Sequence, residues 1–236
     1  MTLRVGTSGY AYKEWKGSFY PTDLKAADML GFYADRFQAV EINNTFYRMP
    51  KLSVLEGWRA QVPDTFQFVL KASQRITHHR RLKDVAEEIG YWADTTTTLG
   101  SQLGPTLFQL PPNFKKDLER LQGFLAALPG GVRAAFEFRH PSWAEDEAVL
   151  DMLRGHGAAW VVADSGEEAL LRVERTAPFV YARLRRVEYS DEDLRFWVER
   201  LGRLGADDLY VFFKHEDEGT GPALASRFLQ LAGGSA

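Results

Sequence analysis

The sequence predicts an α/β fold in which eight parallel strands close into a TIM (β/α)8 barrel. Apolar runs alternate with segments of helical spacing along the chain, which is the pattern of a parallel sheet covered by helices. Eight such units within 236 residues favour a closed barrel over a doubly wound open sheet. No linker, low-complexity tract or composition shift divides the chain, so we expect a single domain over residues 1–236.

The predicted strands are short apolar runs bounded by glycine, proline or polar residues. In the fifth strand, alternation predicts that Ala135, Glu137 and Arg139 share one side, whereas Phe136 and Phe138 share the other. The aromatic pair would face a hydrophobic layer, and Pro141 would end the strand. The eight strands are predicted over 2–8, 39–43, 66–71, 106–110, 133–140, 159–164, 179–184 and 209–214.

The predicted helices follow the strands and show apolar residues at helical spacing. Ser53 is a candidate N-cap for the second helix, and Ser190 with Asp193 has the spacing of a capping box. The helices are predicted over 24–37, 54–60, 84–95, 118–128, 145–156, a short helix near 167–171, 190–204 and 222–232.

The bulk composition excludes several classes of protein. A net charge of −3 does not suggest a general polyanion binder, although a local basic patch is compatible with it. The absence of cysteine excludes disulfides and thiolate chemistry. No apolar run approaches the roughly 20 residues of a membrane span, and no signal peptide is visible. We therefore expect a cytoplasmic protein without a membrane partner.

Polar side chains stand at the carboxyl ends of seven predicted strands, where TIM barrels carry their active sites. No matching set of charges is apparent at the strand starts. We therefore expect the polar side chains to face inward together and to form one site. They are Glu41 and Asn43, Lys71, Gln109, Glu137 and Arg139 followed by His140, Asp164, Arg183 and Lys214.

The residue types of this set predict an enzyme that acts on a phosphorylated or otherwise anionic small molecule. The four cations Lys71, Arg139, Arg183 and Lys214 would hold the anion, and the two arginines offer bidentate contacts. The three carboxylates Glu41, Glu137 and Asp164 would supply general acid and base groups. Asn43, Gln109 and His140 would contact the substrate and orient it.

A metal-dependent phosphoesterase or endonuclease-like hydrolase is one alternative. Glu41, Glu137, Asp164, His140 and His215 are suitable ligand types. However, no HxH, HExxH or CxxC spacing is present, and the neighbouring cations argue against a divalent ion. We expect no metal and no other cofactor.

A non-catalytic nucleic-acid-binding protein is the other alternative. The first loop is rich in aromatic residues and the third carries Arg75, Arg80 and Arg81, a combination that suits stacking and phosphate contacts. The aromatic residues could equally form a hydrophobic cover over the barrel mouth. The pair His78-His79 is typical of a solvated loop.

Several motifs spread over nearly the whole chain resemble those of one family. They include Val40-Glu-Ile-Asn-Asn-Thr-Phe-Tyr47, Phe136-Glu-Phe-Arg-His-Pro-Ser-Trp143, and the segments 5–17, 19–21, 68–78, 104–112 and 176–184. Together they resemble the YecE-like family, also called domain of unknown function 72. The resemblance implies a TIM barrel and supplies no reaction. One departure is Lys214-His215, where the family commonly has Asn-Asn, and this adds a positive charge.

Overall fold

Eight parallel strands in a computed structural model, which describes residues 1–215 and 218–233, form a nearly closed barrel. They are β1 Thr2–Thr7, β2 Ala39–Ile42, β3 Gln67–Lys71, β4 Leu103–Gln109, β5 Ala134–Glu137, β6 Ala159–Asp164, β7 Phe179–Leu184 and β8 Asp208–Phe213. Their order is β1-β8-β7-β6-β5-β4-β3-β2, and every neighbouring pair is parallel. The predicted TIM barrel is confirmed.

Helices follow the strands and cover the outside of the barrel. They are α1 Met29–Ala34, α2 Leu52–Arg59, α3 Ala86–Thr96, α4 Leu118–Ala127, α5 Pro141–Ala144, α6 Glu147–Gly155, α7 Asp191–Gly202 and α8 Thr220–Gly233. The capping box of Ser190 and Asp193 is present at the start of α7. Side chains of Asp117 and Asp146 cap α4 and α6. None of the helices among the described residues combines the length and apolarity needed to span a membrane.

Four predicted helices were wrong in detail. The first is shorter than residues 24–37, because a 3₁₀ turn at Ala26–Asp28 precedes α1. The helix predicted over 145–156 begins only at Glu147 as α6, because Asp146 is its N-cap, and the short α5 precedes it. Ser53 is not an N-cap, since α2 begins one residue before it and Lys51 occupies the cap position. The short helix near 167–171 is a 3₁₀ turn, Glu168–Leu170.

Alternate residues of each strand face the inside and the outside of the barrel. The interior cluster includes Val69, Leu107, Ala135 and Val161, whereas Phe136 and other large residues pack outward against the helices. The alternation predicted for the fifth strand is therefore confirmed for 135–138. The interior is filled by side chains, and apolar residues such as Ala163 of β6 and Phe212 of β8 extend it toward the carboxyl ends of their strands.

The amino ends of the strands carry a smaller group of charges, Arg4, Arg133 and Asp208. Arg133 donates to Asp208 and to the Tyr210 hydroxyl, both at 2.9 Å. Arg4 lies 3.9 Å from the other Asp208 oxygen. The three ionic residues belong to the starts of β1, β5 and β8, and their mutual pairing closes that end of the barrel.

The seam between β1 and β2 is the weakest part of the sheet. A single bridge, Ser8 to Glu41, joins the two strands, and the Tyr33 hydroxyl fills the gap beside it. That hydroxyl accepts from the Thr7 amide at 2.7 Å and donates to the Ala39 carbonyl at 3.1 Å. Gly6 permits this approach, because a Cβ on it would lie 1.9 Å from the Ala39 carbonyl oxygen.

We predict that Gly6→Ala destabilises the protein by about 1–3 kcal/mol, as overpacking of a close contact does. The matched control is Gly123→Ala in α4, where a Cβ meets nothing within 4 Å. The control should be neutral or stabilise by about 0.5–1 kcal/mol, because alanine loses less backbone entropy in a helix. Urea unfolding measures both. Equal stability of Gly6→Ala and the parent would contradict the close approach at the seam.

Candidate functional site

An open cavity of about 870 Å³ lies over the carboxyl ends of the strands. Its wall combines side chains from the ends of β5 to β8 and from the loops after them. The charged and polar lining residues are Glu137, Arg139, Ser165, Glu167, Arg185, Glu188, Lys214, His215 and Thr220. This is the face that carries active sites in TIM barrels.

Beneath the cavity, one arginine joins two glutamates across the barrel interior. The Arg183 guanidinium on β7 donates from Nη2 to Glu41 Oε1 at 2.8 Å and from Nη1 to Glu137 Oε2 at 2.5 Å. Arg183 is 2% exposed, and both glutamates are fully buried. The ion pairs connect β7 with β2 and β5, which are not its neighbours in the sheet.

Both glutamates accept several hydrogen bonds, and each of their oxygens has at least one donor. Glu41 accepts from Ser8, Asn43, Tyr181 and Arg183, which uses the roughly four lone-pair sites of a carboxylate. Burial alone would raise the pKa of Glu41, but Arg183 and the hydrogen bonds outweigh it and lower that pKa.

Glu137 has a similar environment and accepts from Gln109, Arg183 and Arg185. Burial would raise its pKa, but the two arginines overcome this effect and lower the pKa to about 2. Both carboxylates are therefore ionised at neutral pH, and their oxygens are occupied by donors. This arrangement makes them poor proton acceptors and good anchors for the cations.

Lys71 at the end of β3 is held differently from Arg183. Its ammonium donates to Gln109 Oε1 at 2.8 Å and lies 4.1 Å from the centre of the Phe46 ring. No ion pair within 4 Å links it to a carboxylate of the described residues. Burial and the nearby Arg183 lower the pKa of Lys71 to about 8. Lys71 therefore exchanges its proton much closer to neutral pH than an exposed lysine does.

The loop after β3 brings His78 to the same place. A π-helical turn, Arg75–His79, begins this loop, and the His78 ring stands edge-on to Phe46 with 4.8 Å between centres. Burial, with Lys71 and Arg139 nearby, lowers the pKa of His78 to about 4. The imidazole is therefore neutral at pH 7. The prediction of a solvated histidine pair was wrong for His78, which is half-buried, and holds for His79, which is exposed.

Asp164 does not join the other predicted site residues. Its carboxylate accepts from Trp197 Nε1 and the Tyr189 hydroxyl, both at 3.0 Å, and Trp197 belongs to α7 outside the barrel. Ala159, Val161 and Ala163 occupy the inward positions of β6, so Asp164 faces outward. The expectation that it faces the site was wrong, because β6 is buried on both sides and its sequence does not mark the inner one.

The other predicted residues divide into two groups. Arg139 and Lys214 line the cavity, whereas Asn43 and Gln109 donate to Glu41 and Glu137 in the network below it. His140 lies at the start of α5, where its Nδ1 accepts from the Ser142 amide at 3.2 Å. The imidazole of His140 therefore caps a helix.

The sequence reasoning missed three residues of the network. Tyr181 donates to Glu41 Oε2 at 2.5 Å, Ser8 donates to Glu41 Oε1 at 2.7 Å, and Arg185 donates to Glu137 at 2.8 Å. The signal for two of them was present, because Tyr181 and Arg185 stand two positions either side of Arg183 and strand alternation puts them on the same side.

The described residues form no evident site for either alternative, the metal-dependent hydrolase or the nucleic-acid-binding protein. Within 1–215 and 218–233, no three His, Asp or Glu side chains are grouped so that they could hold a metal ion. The aromatic first loop is mainly a cover for the core, since Trp15 and Tyr20 are buried and Phe19 packs against them. Arg75 in the basic third loop pairs with Glu88 at 2.9 Å.

We predict that Arg183→Met costs about 3–5 kcal/mol of stability, because it leaves the buried Glu41 without its counter-charge and Glu137 with Arg185 alone. Arg203→Met is the matched control. Arg203 forms an i,i+4 pair with Glu199 and is 80% exposed, so its loss should cost less than about 1 kcal/mol. Chemical denaturation of both variants measures the difference. A loss below about 1 kcal/mol for Arg183→Met would show that the network does not stabilise the barrel.

A second prediction concerns acid stability. The pKa of Glu137 in the folded protein, about 2, lies below its ordinary value of 4.5. Its contribution is therefore complete above pH 4.5 and is lost as the pH falls toward 2, with a size on the order of 3 kcal/mol. Glu137→Gln should flatten the stability profile over this range. Glu199→Gln, at an exposed position, should leave the profile unchanged. A profile of Glu137→Gln that runs parallel to that of the parent would refute the lowered pKa of Glu137.

Comparison with known proteins identifies relatives over the whole barrel. The family model described as "Protein of unknown function DUF72" matches residues 4–236. YecE of Escherichia coli O157:H7, a UPF0759 protein, is 33% identical over 138 residues, which are 56% of this chain and 51% of YecE. The match thus spans about half the length of that relative. YunF of Bacillus subtilis is 26% identical over an alignment of 268 positions, covering 97% of this chain and 94% of YunF.

A solved structure agrees with the architecture described above. A DUF72 family protein of Thermotoga maritima, TM1631, superposes with a TM-score of 0.88 at 29% identity, covering 98% of this chain and 99% of that one. The names of these relatives indicate no reaction, substrate or partner.

Proposed function

We propose that this chain, which belongs to the family of proteins of unknown function DUF72, is an enzyme that binds a small phosphorylated or carboxylated substrate at the carboxyl-end mouth of its barrel. The observation that carries this proposal is an excess of positive charge in the inner wall of the mouth. Among the described residues, four buried or half-buried cations meet two buried carboxylates there: Lys71, Arg139, Arg183 and Arg185 against Glu41 and Glu137. Lys214 adds an exposed cation to the cavity lining.

Two corrections to the predicted set create this excess. Asp164 faces away from the mouth, and Arg185 adds a cation that lines the cavity. Two further carboxylates in the cavity lining, Glu167 and Glu188, are exposed. Water and salt screen exposed charges more strongly than buried ones. An anion that enters the inner part of the cavity therefore meets a net attraction.

Arg139 is the primary anion ligand in this proposal. It lines the cavity and is half-buried, and no hydrogen bond or ion pair joins it to another residue of the described chain. Arg183, in contrast, directs both terminal nitrogens at glutamates. A guanidinium without a protein partner can give both nitrogens to a carboxylate or phosphate. Arg185 and Lys214 would complete the anion contacts.

The glutamates have a positioning role in this proposal. Their oxygens are occupied and their pKa values are lowered, so they do not act as general bases. Glu137 fixes Arg183 and Arg185 at once, and this sets the distance between the cationic wall and the floor of the cavity. Preorganised charges of this kind cost no reorganisation when a ligand arrives.

Nucleic-acid binding is supported less well than a small anionic ligand. Tyr47 is 73% exposed and offers a stacking face near the mouth, but the aromatic residues of the first loop are packed inward. Phosphate contacts along a strand would give a steep dependence of affinity on salt. A titration with a short oligonucleotide at two salt concentrations therefore separates the two functions.

The proposal predicts that the protein binds inorganic phosphate or members of a panel of phosphorylated and carboxylated metabolites, and that Arg139→Met weakens this binding about 10-fold or more. A charge-assisted hydrogen bond contributes about 1.5–3 kcal/mol, and 1.4 kcal/mol is tenfold in affinity. Isothermal titration calorimetry measures the affinities, and mass spectrometry of the panel after incubation identifies a substrate that is converted.

The exposed Arg203→Met variant is the control for this experiment. It removes the same charge far from the mouth in a residue that is 80% exposed, so it should bind as the parent does. Equal affinity of Arg139→Met and Arg203→Met would contradict the anion site. Tight oligonucleotide binding without any small anion would favour the nucleic-acid function instead.

A further inference from the structure

We propose that the side-chain amine of Lys71 is a reactive nucleophile that condenses with the carbonyl group of an anionic aldehyde or keto acid held in the mouth of the barrel. This proposal deepens the proposed function and rests on it for the anion. It adds a substrate class, a carbonyl compound, and a covalent step. The argument for a reactive amine rests on the geometry around Lys71.

The contacts of Lys71 suit an amine that loses a proton before it reacts and is positively charged again as a protonated imine. One N–H is directed at Gln109 Oε1, 2.8 Å away, and the nitrogen lies over the face of Phe46. A protonated imine retains one N–H and its positive charge. The same carboxamide can therefore accept from the imine, and the same ring face can stabilise it.

The charges that face Lys71 come from every side of the mouth. Arg183 on β7 and Lys214 after β8 disfavour the ammonium, whereas Glu41 on β2 and Glu137 on β5 favour it. His78, from the loop after β3, is also close enough to interact with it electrostatically. Desolvation and nearby cations together are a recognised way to activate a lysine amine. The two glutamates do not reverse this effect, because Arg183 and Arg185 pair with them at short range.

The covalent step balances without an oxidant or reductant. The ammonium first gives one proton to water, and the neutral nitrogen forms a bond to the carbonyl carbon. The carbonyl oxygen takes up two protons and leaves as water while the C=N bond forms. Overall, one ammonium and one carbonyl give one protonated imine and one water. Arg139 and Arg185 would hold the anionic end of the same molecule.

Pyridoxal 5′-phosphate is a suitable probe, because it joins an aldehyde to a phosphate, and pyridoxal is its counterpart without the phosphate. The full chain is incubated with each probe, reduced with borohydride and mapped by peptide mass spectrometry. At pH 8 about half of Lys71 is neutral if its pKa is about 8, whereas an exposed lysine with a pKa near 10.4 is neutral in less than about 1% of molecules. We expect Lys71 to be labelled at least about 10-fold faster than the exposed Lys25.

The pH profile provides an independent readout. Labelling of Lys71 should rise as the pH passes through about 8, whereas labelling of an ordinary exposed lysine, with a pKa near 10.4, should rise about two units higher. Lys71→Arg keeps the charge but cannot form an imine. The total labelling of this variant should therefore fall to the amount that the exposed lysines contribute. The matched Lys25→Met should not change the labelling of Lys71.

The two proposals fail in different ways. Labelling of Lys71 no faster than Lys25 by pyridoxal 5′-phosphate would overturn the reactive amine, even if calorimetry shows phosphate binding. Rapid labelling of Lys71 by both probes to the same extent would support the amine and overturn the anion site. Faster labelling by pyridoxal 5′-phosphate than by pyridoxal, lost in Arg139→Met, would support both.

Discussion

The ion pairs of Arg183 with Glu41 and Glu137 are the interaction on which the top of the barrel depends. They connect three strands across the interior, and one of those strands, β2, lies beside the weak seam with β1. Taking three charges out of water is expensive, and only short, well-directed hydrogen bonds offset that cost. Loss of one partner would leave an uncompensated charge in a dry interior. The network therefore constrains both the shape of the mouth and the residues that can occupy it.

This constraint divides the polar residues of the mouth into two kinds. Glu41, Glu137 and the two terminal nitrogens of Arg183 bond to one another and to Ser8, Tyr181 and Gln109, so these residues hold the site in place. Arg139 and Lys71 make fewer hydrogen bonds and ion pairs with other residues and lie nearer to solvent. Groups with unused hydrogen-bonding capacity and partial exposure are the ones that a ligand can reach. The division explains why we assign the chemistry to Lys71 and Arg139 instead of to the buried carboxylates.

The sequence was informative about the position of the site and much less so about the roles of its residues. Strand alternation placed Glu137 on the inner side with Ala135, which the interior packing confirms. The same reasoning applied to β7 would have added Tyr181 and Arg185. It failed for Asp164, because β6 is apolar on both sides and the inward residues Ala159, Val161 and Ala163 do not differ in character from Val162. In a strand that is buried on both faces, no polar residues distinguish the side that faces the barrel interior.

The sequence by itself determined the succession of strands and helices, because hydrophobic periodicity and turn residues are local properties of the chain. It also determined that polar residues follow the strands, since strand ends are visible as the points where apolar runs stop. Only the tertiary structure decided which of these residues pair. Arg183 and Glu41 are 142 positions apart, and their contact depends on closure of the barrel. The excess of positive charge at the mouth and the low pKa of Lys71 arise from that closure, because both depend on distances across the barrel and on burial by distant segments.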